Sequence, residues 1–296
     1  MPVQASRPYL LQPHLRPKEA HKQVWQINQQ DSVLLCCRSA TNCNHGMRLV
    51  DATSTRQNVL MNKDFLPACC APLSDHWPLP HPHSTLRLIS TRFDPGHLHS
   101  EDFSRCAIAP IKGVAKRQAE YLAGRLCARA ALAQLTGTAA TPASGADRAP
   151  QWPKGTLGSI THGSGWAAAV VGQHSEWRGL GLDVEQIMPA SRAERLAGEI
   201  LTPAELLRLQ NLPAEQRAQR ISLTFSLKES LFKALYPQVL RHFYFQDAEL
   251  ISVDTSQQVR MRLLIDLHEQ WPAGAEVSGQ FAEFDGYLLS LVSIAR

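Results

Sequence analysis

The chain has 296 residues, of which 44% are hydrophobic and 19% charged: enough apolar material for a real core, and too much for wholesale disorder. At about 150 residues per domain, the length suggests two packed units. Thirty Lys and Arg against 26 Asp and Glu leave a net charge of +4, which suits an anionic ligand or an acidic partner but not a nucleic-acid binder.

No apolar run approaches the roughly 18 to 20 residues that a membrane helix requires. Residues 1–30 are polar and rich in Pro and Gln, without the apolar core of a secretory signal. Seven cysteines, with no C-x-x-C spacing, point to a reducing, cytoplasmic location. Five of them (Cys36, Cys37, Cys43, Cys69 and Cys70) fall in a first segment, residues 1–83, that lacks sustained periodicity. Cys36, Cys37, Cys43 and His45 do not match tetrahedral zinc spacings. The segment reads as a disordered or irregular extension closed by a stiff linker, Trp77-Pro78-Leu79-Pro80-His81-Pro82. Met61 offers an alternative start, which a peptide mapped upstream of it would reject.

From Ser84 the pattern becomes globular. Thr85-Leu86-Arg87-Leu88-Ile89-Ser90 alternates as a half-buried strand does. Leu122, Leu126, Ala130 and Ala133 recur at helical spacing and predict a helix over 116–135, stopped by Gly137. A Pro/Gly/Ala/Ser loop then leads to Gly158-Ser159-Ile160-Thr161-His162 and to a buried strand, Trp166-Ala167-Ala168-Ala169-Val170-Val171. Gly179-Leu180-Gly181-Leu182-Asp183-Val184-Glu185 reads as a strand with apolar and acidic positions alternating. Thr202-Pro203-Ala204-Glu205 is a capping box opening a helix to about Gln210. A further helix is predicted over 224–235, ending before Pro237, and Asp285-Gly286 marks a hairpin between two apolar runs.

Three clusters could carry chemistry. Asp183 and Glu185, at i and i+2 of a strand, share a face while Leu182 and Val184 point into the core. Paired carboxylates repel unless a cation such as Mg²⁺ sits between them, although an ordinary exposed strand edge is the commoner origin of such a pair. Glu229 and Lys233, four apart, share a helix face. Such a pair is commonly a surface ion pair worth about 0.2–0.5 kcal/mol. Here, however, Phe225, Leu227, Leu231, Phe232, Leu235 and Tyr236 make the helix apolar nearly all round, which places the acid and base in a cleft. The third cluster is basic: Arg117 and Arg125 lie about 80° apart around their helix, Arg148 precedes Trp152, and His162 sits at a strand. Guanidinium forks suit phosphate oxygens, but a solvated helix face and a structural histidine would look the same. P-loop, dinucleotide-binding and nucleophile-elbow motifs are missing from the sequence.

In this order the clusters resemble the Sfp-type 4′-phosphopantetheinyl transferases, and among them the branch of enterobactin synthase component D. Five blocks carry the resemblance, which spans residues 84–296: Lys116-Arg117-Gln118-Ala119-Glu120-Tyr121-Leu122-Ala123-Gly124-Arg125; Arg148-Ala149-Pro150-Gln151-Trp152-Pro153; Gly158-Ser159-Ile160-Thr161-His162; Gly181-Leu182-Asp183-Val184-Glu185; and Phe225-Ser226-Leu227-Lys228-Glu229-Ser230-Leu231-Phe232-Lys233. Ile200-Leu201-Thr202-Pro203-Ala204-Glu205 is also typical of that branch.

The resemblance implies an α+β fold of two similar-sized halves, 84–185 and 186–296, related by a pseudo-twofold axis, with coenzyme A and Mg²⁺ between them. It implies transfer of the phosphopantetheine arm of coenzyme A to a serine of an apo acyl, peptidyl or aryl carrier protein, releasing adenosine 3′,5′-bisphosphate. Asp183, Glu185 and Glu229 would then hold the metal. Arg117, Arg125, Arg148, Thr161, His162 and Lys233 would hold the donor's phosphates. Glu229, Lys233 and Asp183 would form the catalytic set, with Thr161 standing where some relatives have Ser. The branch is monomeric and takes acidic carriers as partners. A relative that only binds the nucleotide, and a Mg²⁺-dependent phosphodiesterase using the same acids, are the competing readings.

Overall fold

The computed structural model describes residues 65–296. Cys36, Cys37, Cys43, His45 and Met61, with the readings that rest on them, lie outside the described residues.

The chain enters strand β1 (Arg87–Arg92), passes a 3₁₀ turn (Pro95–His97) and a short helix α1 (Asp102–Arg105), and then forms the long helix α2 (Ala115–Thr136). Helix α2 matches its prediction to within a residue at each end, because Gly137 closes it in the left-handed conformation at φ +73°. A two-residue ladder, β2 (Ala143–Ser144) with β3 (Pro150–Gln151), precedes β4 (Thr156–Gly163), β5 (Trp166–Gln173) and β6 (Trp177–Gln186). Helices α3 (Ala190–Ile200), α4 (Pro203–Gln210) and α5 (Ala214–Val239) follow, then β7 (Ala248–Val253), β8 (Gln258–Leu263), β9 (Glu276–Phe284) and β10 (Tyr287–Ala295).

Besides the β2–β3 ladder, the described residues form two larger antiparallel sheets. One runs β1-β5-β4 and the other β6-β10-β9-β8-β7. Leu88 and Val170 from the first sheet pack against Leu182, Val184, Leu289 and Leu291 from the second, burying the two facing surfaces. Helix α2 covers the far side of the first sheet through Cys127, Ala128, Ala131 and Leu132. Helix α5 covers the far side of the second through Leu227, Leu231 and Leu235. The sheets are stitched where β4 meets β6: the backbone N–H groups of Leu182 and Val184 donate to Ser159 Oγ and Thr161 Oγ1, each at 3.0 Å. Two buried donors on an edge strand thus find partners without a ladder.

The structure departs from the sequence reading in four places. Residues 65–83 are irregular, as expected, but they do not form a detached linker. Cys69, Cys70 and Leu79 are buried, Ser74 bridges to Ser90, and the backbone N–H of His81 donates to Gln280 Oε1 at 2.9 Å. Strand β6 was assigned to the first half, yet it pairs with β10 in the sheet of the second. The sequence reading has no helix over 190–200, although Ala193, Leu196, Ala197 and Ile200 form an apolar stripe at helical spacing there. Helix α5 begins ten residues before its predicted start and runs through Pro237. That proline lies in the last turn, where its missing N–H deprives only the Lys233 carbonyl of a helical partner before Leu240 N closes on Tyr236 O.

Candidate active site

The site forms where α5 crosses β6. Gly181 allows that crossing, since a Cβ there would fall on the Ser230 carbonyl oxygen and within 2.8 Å of Ala234 N. Two residues on, Asp183 is buried and both its carboxylate oxygens are engaged. Oδ1 accepts from Lys233 Nζ at 2.7 Å and Oδ2 from Ser226 Oγ at 2.9 Å. Lys233 Nζ also donates to the Leu182 carbonyl at 3.0 Å. Beneath Asp183 lies a chain of fully buried hydroxyls: Ser226 and Ser290 Oγ stand 2.8 Å apart, as do Ser290 and Ser230, and Ser230 donates to the Ser290 carbonyl. Because Ser226 donates to Asp183 and Ser230 to a carbonyl, both of their oxygens remain acceptors, and the single proton of Ser290 is shared between them.

Glu185 lies on the same face of β6 as Asp183, and Glu229 shares the α5 face of Lys233, as the spacings predicted. Burial first, then the Asp183 and Glu229 charges, push Glu185 up to about 8, against the pull of Lys233 and Arg192. Burial and the Asp183 charge push Glu229 up to about 7, with Lys233 opposing. Burial alone would lower the Lys233 ammonium. The charges of Asp183, Glu229 and Glu185 and the Asp183 hydrogen bond outweigh it and hold Lys233 above its ordinary value. Three acids and one base therefore feel one another across the β6–α5 crossing.

The basic cluster divides. Arg117 is exposed near the start of α2, whereas Arg125 is buried, stacks on Tyr121 and donates to Ser144 Oγ at 3.0 Å; its Nε has no partner. Arg148 stands at the β2–β3 turn with φ +68°. His162 keeps a half-exposed ring with Nδ1 3.6 Å from Glu120 Oε2. Desolvation of its inner edge and the cationic Lys233, Arg117 and Lys116 hold its pKa below the ordinary value, with Asp183 opposing. These charges link His162 and the start of α2 to the acidic crossing. Thr161, expected to face phosphate, turns inward to accept the Val184 N–H, because β4 alternation puts it opposite His162.

Oxygen-only donors carrying up to three negative charges fit a hard divalent cation such as Mg²⁺ in charge and chemistry. Their atoms are not yet gathered: among the described residues no three His, Cys, Asp or Glu side chains converge on one point, and the Lys233 ammonium holds Asp183 Oδ1. No helix among them is long and apolar enough to cross a membrane.

The hydroxyl chain and the pairing of Glu120 with His162 escaped the sequence reading. Ser226 and Ser230 carried a faint signal, four residues apart on the stripe of Lys233. Ser290 carried none, because it arrives from a remote strand.

Two family models match the chain: the 4′-phosphopantetheinyl transferase N-terminal domain over residues 108–172, and the 4′-phosphopantetheinyl transferase superfamily over residues 179–292. Enterobactin synthase component D of Salmonella typhi is 35% identical over 175 residues, covering 56% of this chain and 69% of the relative. Its counterpart from Escherichia coli O157:H7 is 34% identical over 186 residues, covering 62% and 85%. Among solved structures, the holo-ACP-synthase of Plasmodium yoelii aligns at 15% identity with a TM-score of 0.32, over 40% of this chain and 94% of that one.

Proposed function

The chain belongs to the 4′-phosphopantetheinyl transferase superfamily and is a transferase of that class, and from this premise we propose that it moves the phosphopantetheine arm of coenzyme A to a serine of an apo carrier protein, with Mg²⁺ held by Asp183, Glu185 and Glu229. In the reaction the serine oxygen forms a bond to the pantetheine-side phosphorus. The bond to the bridging oxygen breaks, and adenosine 3′,5′-bisphosphate departs with that oxygen. The reading rests on one observation: Glu229, Lys233 and Asp183 meet at a single crossing, with Lys233 Nζ 2.7 Å from Asp183 Oδ1.

Phosphoryl transfer needs positioning and charge neutralisation more than covalent help. Glu229, on the α5 face of Lys233, is the group that takes the serine proton. Lys233, fixed between Asp183 and the Leu182 carbonyl, meets the charge that develops on the bridging oxygen. A bound Mg²⁺ supplies further neutralisation of the pyrophosphate. Arg125, with its buried and unpartnered Nε, Arg117, Arg148 and His162 provide the donors for the remaining phosphate oxygens. Thr161 serves the site from behind, its oxygen bracing Val184 beside Asp183. We place the donor between the two sheet-and-helix halves, which the family resemblance relates by a pseudo-twofold axis, and read the active form as a monomer in the cytoplasm. The net charge of +4 favours approach of an acidic carrier.

Incubation with coenzyme A, Mg²⁺ and a panel of apo carriers, followed by intact mass, tests the reading. Wild-type protein adds one phosphopantetheine per carrier. Asp183→Ala and Glu229→Ala each lose about a hundredfold or more in rate while keeping a cooperative melt. Full transfer by either variant removes the assignment. Bisphosphate released without a carrier would favour a phosphodiesterase instead.

A further inference from the structure

Lys228 sits beside Glu229 in the sequence, yet its side chain goes elsewhere. It is almost wholly buried, and Nζ donates to Glu205 Oε2 at 2.7 Å and to the Ile200 carbonyl at 2.9 Å. Glu205 is the acid of the α4 capping box. Its Oε2 also accepts the Thr202 N–H at 2.7 Å, and its Oε1 accepts the Leu250 N–H of β7 at 2.6 Å. One buried ion pair therefore ties α5 to the end of α3, the start of α4 and an edge strand, with every carboxylate oxygen satisfied.

At about 100° per residue, Ser226, Ser230 and Lys233 fall within about 60° of one another around α5, and Lys228 lies about 160° or more from the centre of that stripe. The helix is thus held from two opposite sides. The sheet side is fastened through Ser290 and Asp183. The outer side is fastened through Glu205 and Ile200. Two opposed anchors fix rotation about the axis and height along it, where one alone would leave a pivot. Glu229 projects between them, so its aim depends on both.

We propose that Lys228 and Glu205 are positioning residues that set the rotation and height of α5 and so aim Glu229 and Lys233 at the transfer site. The proposal rests on the transferase reading of that site. Displacement of a reacting group by about 1 Å can cost a hundredfold in rate, so the pair acts on turnover rather than on donor binding.

Glu205→Asp keeps both charges and draws the carboxylate back by one methylene. Its kcat for carrier modification falls by about tenfold or more while KM for coenzyme A stays within about twofold. Lys228→Met/Glu205→Gln removes both charges and leaves an amide oxygen for the Leu250 N–H, while the Thr202 N–H loses its carboxylate acceptor; it gives the same split at a lowered Tm. Leu263→Ala, remote in β8 and fully buried, is the stability control, and it lowers Tm without lowering kcat by more than about twofold. Wild-type kcat in either folded variant overturns the proposal. So does a matching kcat loss in the control at equal Tm loss, or collapse of both variants while the control folds, because the pair would then serve stability alone. Wild-type protein run alongside separates these outcomes from failure of the functional reading itself, in which no carrier would be modified by any form.

Discussion

Asp183 has both carboxylate oxygens committed before any ligand arrives, and the two partners differ in kind. The Lys233 ammonium on Oδ1 is partly exposed. The Ser226 hydroxyl on Oδ2 is locked by Ser290 and Ser230, both fully buried. Hydrogen bonds that orient a metal-ligating carboxylate from behind are commonly worth 10- to 100-fold in metal affinity. Ser226→Ala removes the donor to Asp183 Oδ2 and leaves Ser290 with Ser230 alone. Magnesium titrated by calorimetry should then bind about 10- to 100-fold more weakly, and the transfer rate should recover at high Mg²⁺. Unchanged affinity would show that the hydroxyls only fill space.

At the scale of elements, α5 and β6 approach so closely that the site depends on a hydrogen atom at Gly181. Gly181→Ala sets a methyl group against the Ser230 carbonyl and Ala234 N, so the helix must move outward, at a cost of about 1–3 kcal/mol. Transfer should fall further than the melt implies, because Glu229 and Lys233 move with the helix. Gly198→Ala is the contrasting case in α3: nothing lies within 4 Å of the added Cβ, and the substitution should stabilise by about 0.5–1 kcal/mol. Thermal melts and rates of the two variants check both statements.

These elements also show how far the sequence could be read. The face shared by Asp183 and Glu185, and that shared by Glu229 and Lys233, follow from periods of 2 and 3.6 and need no partner. The Asp285-Gly286 hairpin is equally local: both residues take positive φ, +48° and +79°, as a type I′ turn demands. By contrast, β6 joining β10 across about a hundred residues, Thr161 turning inward to β6, and Ser290 completing the hydroxyl chain are long-range facts. Periodicity gives residue type and face, and contact partners lie beyond it. The split between an exposed Arg117 and a buried Arg125 has a similar origin, since about 80° of helix rotation separates the solvent side from the core side.

For the molecule as a whole, crowding acids at one crossing sets folding stability against readiness for a cation. Glu185 and Glu229 have folded values of about 8 and about 7, raised from an ordinary 4.5. Groups raised in this way contribute stability that is complete below the unfolded value and lost as pH rises through the folded one. His162 is lowered, so its contribution is present above 6.5 and lost only as pH falls. Between pH 6.5 and 8.5 the imidazole therefore drops out and the carboxyls decide the sign. Lys233, raised from 10.5, changes nothing in that window. Without divalent cations, Tm should fall as pH is raised from 6.5 to 8.5, by about 2–4 °C for each kcal/mol of lost stability. Saturating Mg²⁺, which favours the ionised acids, should flatten the slope, and Glu185→Gln should flatten it without any metal. A metal-free Tm that rises across this window, or a slope indifferent to both Mg²⁺ and Glu185→Gln, would mean that the carboxyls at the crossing are not the groups that set it.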